Sequence, residues 1–149
     1  MTLEELRHTI KNISLSHKEI RDFDYGEDFL LATGKGKDYP LVFLELPYSI
    51  NYESDNRFKT LSFALNVLMT PTDDDIKDDH ENISEAEQIC DAIITRFQDE
   101  VKQFGFIINN VNGISLREYS DDNVSGFRLE IQGRVFRSYC NKNYQDEFN

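Results

Sequence analysis

The stretch Thr60-Leu-Ser-Phe-Ala-Leu-Asn-Val-Leu-Met-Thr70, followed after an acidic segment by Ser84-Glu-Ala-Glu-Gln-Ile-Cys-Asp-Ala-Ile-Ile94, decides the fold. In the first part Leu61, Phe63, Leu65, Val67 and Met69 alternate with Ser62, Ala64, Asn66 and Leu68. Successive strand side chains point to opposite faces, so this period of two predicts a strand with an apolar odd face on the core. Leu68 interrupts the polar face and implies that its upper end is covered as well. From Ile83 the period changes. Ile83, Ala86, Cys90, Ile93, Phe97, Val101 and Phe104 recur every three or four residues, widened by Ile89 and Ile94, with Glu, Asp, Arg and Lys between them. That spacing predicts an amphipathic helix of about 20 residues, roughly 30 Å long. Ser84 and Glu87 suit a capping box at its start, and Gly105 suits its stop.

Upstream, Leu3, Leu6, Ile10 and Ile13 make a narrow stripe that predicts a helix from Thr2 to about Asn12, with Thr2 and Glu5 as a capping box. The stripe suits a helix lying on a sheet edge or on a neighbouring subunit. Ser14–Asp28, anchored by Ile20, Phe23, Tyr25 and Phe29 nearby, reads either as a short helical turn or as an extended lead into a strand. Phe29–Thr33 and Tyr39–Leu46 read as two strands joined by Gly34-Lys-Gly-Lys-Asp38, a hairpin signal rather than a phosphate loop. Apolar residues on both faces of Tyr39–Leu46 suggest a central strand.

Pro47–Phe58 links the second strand to the third and reads as a polar hairpin tip. It is either a solvated turn or a contact arm, carried by Tyr48, Tyr52, Glu53, Asp55 and Arg57, that reaches a neighbouring subunit or a lumen. Residues 72–81, Thr-Asp-Asp-Asp-Ile-Lys-Asp-Asp-His-Glu, invite a cation-loop reading. Counted from Asp73, however, the fifth position is Lys77 and the sixth is Asp78 where an EF-hand needs glycine. A solvated acidic crossover ahead of a helix N-terminus fits better. Downstream, Ile114–Ser120 and Gly126–Arg137 predict a terminal hairpin. Phe127, Leu129, Ile131 and Val135 form its inner face, Arg128, Glu130, Gln132 and Arg134 its outer face, and Gly133 is placed for a bulge. From residue 138 the chain turns polar and reads as a tail or a docking segment.

The expected class is α+β: one domain over 1–149, an antiparallel-rich sheet with a long helix packed on one face and an N-terminal helix. Composition limits the function. With 28 acidic residues against 16 basic the chain carries −12, a surface that repels nucleic-acid phosphates. No apolar run is long enough for a membrane span, and the N-terminus has no signal-peptide pattern. Cys90 and Cys140 make no disulfide framework, and Cys90 reads as a buried reduced thiol. His8, His17 and His80 have no nucleophile or ligand set at a recognisable spacing, and glycine-rich nucleotide fingerprints are absent. The sequence therefore predicts neither catalytic residues, nor a metal site, nor a cofactor, and the protein is not expected to be an enzyme.

The order of these pieces, Leu3–Ile13, Phe29–Leu46, Thr60–Thr70, Ser84–Phe104 and Ile114–Arg137, resembles the tail-terminator and tail-completion (head–tail joining, neck ring) proteins of tailed bacteriophages. It looks especially like those of phages with Bacteroidetes-type hosts. The resemblance spans about Leu3 to Phe136 and rests on element order and pattern; Ser14–Asp28 departs from it. It implies a homo-oligomeric ring, hexamer or dodecamer, that joins head and tail beside portal, neck or tail proteins. DNA would pass through without sequence-specific binding. It implies a virion location in the neck or tail, with the host cytoplasm as the place of assembly, and it transfers no catalytic residues. The competing expectation from the residues is an acidic cytosolic adaptor or inhibitor-like module that docks on a basic partner.

Overall fold

The protein is described by a computed structural model that covers residues 1–27, 38–54, 57–69, 76–119 and 124–137, the side chains of 76–78 and 118–119 excepted. The central element is the strand read first. It runs Phe58–Leu68 (β4) and buries Leu61, Phe63, Leu65 and Val67, with Met69 just beyond, on one face. On one side β4 pairs antiparallel with Val124–Phe136 (β6), which in turn pairs with Phe106–Tyr119 (β5). On the other side it pairs antiparallel with Leu41–Glu45 (β2) along its upper half and Ser49–Tyr52 (β3) along its lower half. Asp22–Gly26 (β1) adds to β2 in parallel. The sheet therefore runs β1-β2-β4-β6-β5, with β3 also on β4.

Two helices cover the odd face of β4. Leu3–Ser16 (α1) contributes Leu6, Ile10 and Ile13, and Ile76–Val101 (α2) contributes Ala86, Ile89, Cys90, Ile93, Phe97 and Val101 to one core. Phe97 stands edge-on between Phe63 and Phe106, with ring centroids 5.8 and 5.9 Å away. A ring so enclosed contributes about 2–3 kcal/mol by burial alone. The expected α+β class, with a long helix on one face and an N-terminal helix, is the class observed. Leu68 behaves as its position implied: with Leu41, Phe43 and Val124 it forms a small second cluster on the opposite face.

α1 starts as its sequence predicts. The Thr2 hydroxyl accepts from the Glu5 N–H at 3.1 Å, and the Glu5 carboxylate accepts from the Thr2 N–H at 2.7 Å. The helix runs four residues past Asn12. Ser14 and Ser16 hydroxyls donate back to the Ile10 and Ile13 carbonyls, both at 2.7 Å, so neither draws the backbone out of the helix. Of the two readings of residues 14–28, the extended one describes 22–26, where Phe23 packs on the core. Both edges of β2 are occupied, by β1 and β4. The strand expected at 29–33 and its turn at 34–37 lie outside the described residues, as do the tail from 138 and Cys140.

Three expectations are corrected. First, α2 has 26 residues and begins at Ile76, so residues 76–81 are helix and not acidic crossover; Ser84 is exposed in its interior and caps nothing. No glycine or proline interrupts 76–101, and the apolar stripe continues upward through an acid. Asp79 is 4% exposed and its carboxylate accepts from Arg117 Nε of β5 at 2.8 Å. A buried charge survives there because its partner is a cation at contact distance. The stop is as expected: a 3-10 turn over Lys102–Phe104 ends at Gly105, φ 69°, whose N–H donates to the Lys102 carbonyl. Second, β5 begins at Phe106, eight residues before Ile114. Asn109, Asn110 and Asn112 resemble turn residues, but at a sheet edge their side chains stay in water. The ladder slips between Ile108 and Asn110, opposite Gly133, so the extra residue belongs to β5. Gly133 instead leaves room for the Phe106 ring to lie across it. Third, residues 47–58 are not one loop, because β3 lies within them.

Candidate interaction surface

The even residues of β4 and β6 point away from the helices. Below the Leu41–Phe43–Leu68–Val124 cluster this face is lined by short or charged side chains: Ser62 and Ala64 on β4, Arg128, Glu130 and Gln132 on β6, Asn110 and Asn112 on β5, and Glu45 on β2. They surround a shallow, open cavity of about 550 Å³. Arg128 organises it. Its Nη2 lies 2.8 Å from a Glu45 oxygen and its Nη1 2.6 Å from Glu130, with Nε 3.2 Å from both Glu45 oxygens. The fork spans from β6 across β4 to β2, and its bonds to Glu45 and then Glu130 hold the guanidinium charged against partial burial. With Glu27 on the rim, carboxylates outnumber the cation.

The lower end holds the segment that the sequence offers as a contact arm or a solvated turn. Arg134 grips Glu53 through two nitrogens, at 2.7 and 3.1 Å, and lies 3.7 Å over the Phe58 ring. Phe58 stacks obliquely on Phe136, centroids 4.3 Å apart. Arg137 lies over Tyr52 at 5.2 Å, and its backbone N–H donates to the Arg57 carbonyl at 2.9 Å. Three of the expected arm residues, Tyr52, Glu53 and Arg57, thus meet at the tip of the β3–β4 hairpin, tied to the end of β6. Tyr48 does not join them. It packs on the helix side against the main core, where burial pushes its phenol up against the pull of the Arg7 guanidinium. Asp55 lies outside the described residues.

The outer residues of β6 were legible as a polar face, but Arg128 and Arg134 were not legible as its organisers. Their partners, Glu45 and Glu53, are 83 and 81 positions away in sequence. Long strand pairing alone brings them together.

The side chains on these surfaces offer ion pairs, hydrogen bonds and ring contacts. Among the described residues no group of three His, Cys, Asp or Glu side chains is placed to hold a metal ion. Cys90 is buried on α2, where loss of water pushes its thiol up to about 12 and leaves it a poor nucleophile. His8 sits 3.6 Å from a Glu4 oxygen and His17 accepts from the Glu19 N–H, both on or just past α1, while His80 is exposed on α2. No helix among the described residues is long and apolar enough to cross a membrane. A scan against protein-family models and a search of curated proteins give no match to the chain.

Proposed function

We propose that the protein is a structural virion component that forms a ring in the neck or tail of a tailed bacteriophage, in a connector or tail-terminator role. The observation that carries the reading is where the ordered polar and aromatic side chains lie. They occupy a broad sheet face and a clamped hairpin tip, surfaces that meet other proteins, rather than a cleft with a nucleophile or base. A ring subunit needs this: a stiff layer, arms held in one geometry, and edges that pair with the right neighbour. Copies would assemble as a hexamer or dodecamer and contact portal, neck or other tail proteins. The net charge of −12 suits a channel wall that lets DNA slide past without holding its phosphates.

The test is the native mass of the assembly by light scattering, together with mass spectrometry of purified virions. Six or twelve copies in the particle are expected; absence from purified virions refutes the reading. The surplus of carboxylates around Arg128 favours one alternative, an acidic module that docks on a basic partner. A monomer that is absent from virions and captures a single basic protein would establish it.

A further inference from the structure

Charge-free stretches are rare in this chain, and the two longest are 60–72 and 103–116. The first holds most of β4, where burial on both flanks explains the lack of charge. The second holds most of β5, which is a sheet edge among the described residues. Edges of monomeric sheets are ordinarily blunted by lysine, proline or inward charge, and residues 106–116 carry none of these. Nor is the lack of charge explained by burial, for Ile107 is 63% and Ile114 60% exposed. Over 106–116 β5 is as free of charge as an interior strand, yet it lies at an edge.

Two irregularities in its pairing with β6, at 108/110 and 116/119, delimit a regular segment, 110–116, about 24 Å long. The opposite edge of the sheet does not match it. β1 has five residues and carries Asp22 and Asp24 beside Glu27, and β3 has four. A second acidic copy meeting β1 would bring charge to the contact and leave part of 110–116 uncovered. Among the described edges only β5 matches β5 in length and lack of charge.

We infer that two copies of this chain pair through β5, antiparallel about a two-fold axis at Gly113, making one continuous sheet with both helical layers on the same side. In that register Asn110 faces the second copy's Leu116, Val111 faces Ser115, and Asn112 faces Ile114. The two Ile114 side chains become diagonal neighbours on the open face, roughly 7–8 Å apart. The pairing covers the backbone edge at a place where a chain of charge −12 brings no charge to meet itself. It goes beyond the ring reading, since a two-fold contact closes a free dimer or joins two rings back to back and is not the contact between neighbours of a ring whose two faces differ.

The test is sedimentation of the full chain at up to about 100 µM, a range that populates a micromolar contact. The wild type is expected as a dimer or an even multiple of it. Ile114→Lys places two ammonium groups across the axis and is expected to weaken pairing at least about tenfold, with circular dichroism unchanged. Adding Asn112→Glu sets each introduced ammonium group against a carboxylate of the other copy and is expected to restore pairing. A monomeric wild type, or an assembly indifferent to Ile114→Lys, overturns the inference. Should that variant not fold, hydrogen exchange of the wild type decides. Amides in 110–116 that point away from β6 must slow as concentration rises, and no change overturns the pairing. A monomer in solution that still forms rings on virions refutes the pairing alone; a dimer absent from virions refutes the ring alone.

Discussion

Gly126 on β6 and Gly26 on β1 should respond oppositely to the same methyl group. A Cβ at Gly126 would overlap the carbonyl oxygen of Val67, and it would lie 3.0 Å from that carbonyl carbon and 3.1 Å from Leu68 Cα. All three are backbone atoms of the central strand and cannot rotate aside. Relief requires β4 and β6 to part where Gly126 faces Leu68, next to the 2.8 Å bond from the Met69 N–H to the Ser125 carbonyl. One or two such bonds are worth about 1 kcal/mol each, and overpacking strain adds about 1–3 kcal/mol. Gly126→Ala is therefore expected to destabilise by about 3 kcal/mol and to lower Tm by roughly 10 °C for a domain of this size. A Cβ at Gly26 meets only Phe43 Cζ, at 3.7 Å, an ordinary contact. Gly26→Ala is expected to be neutral or stabilising by about 0.4–1 kcal/mol, through the less flexible unfolded chain. Urea unfolding of both variants, with m-values compared, measures the difference. A Gly126→Ala variant within about 0.5 kcal/mol of wild type would refute the close β4–β6 approach and the register built on it.

The clamp on the hairpin tip is testable by a cycle of Arg134→Ala, Glu53→Gln and the double variant. The ion pair is half-exposed, so a coupling of about 0.5–1 kcal/mol is expected, and Arg134→Ala should cost about as much again through its lost contact with Phe58; zero coupling would mean the tip is not held by this pair. Asn66 is 1% exposed and among the described residues neither its amide nitrogen nor its amide oxygen has a partner, so Asn66→Val is expected to stabilise by about 1–2 kcal/mol, and a loss of that size would show that the amide is satisfied after all. Cys90 makes stability depend on pH. Its folded thiol is pushed up to about 12 from an ordinary 9.0, so the native state holds its proton longer than the unfolded chain does. Its contribution is intact below about pH 9 and is lost progressively towards 12, by up to about 4 kcal/mol. Relative to Cys90→Ala, the wild type should lose Tm more steeply between pH 9 and 11, and parallel curves would contradict a buried thiol.

The sequence by itself determined the elements whose side chains repeat with a period: the alternation along β4, the stripe from Ala86 to Val101, and the capping box of α1. These are local patterns, and each stands out because burial falls on one face at a time. It also determined the polar face of β6 and three residues of the hairpin tip. Where a pattern was broken by a polar group with a distant partner, the sequence misled. Asp79 looked like part of a loop because Arg117, which neutralises it, lies 38 residues on. Residues 106–113 were not read as strand because nothing local marks a strand as an edge. The parallel docking of β1 on β2, the meeting of Glu45 with Arg128 and the outward place of Tyr52 but not Tyr48 belong to the tertiary structure alone. Strand order is fixed by which edges remain after the central pairs form, and that is a property of the whole chain rather than of any segment.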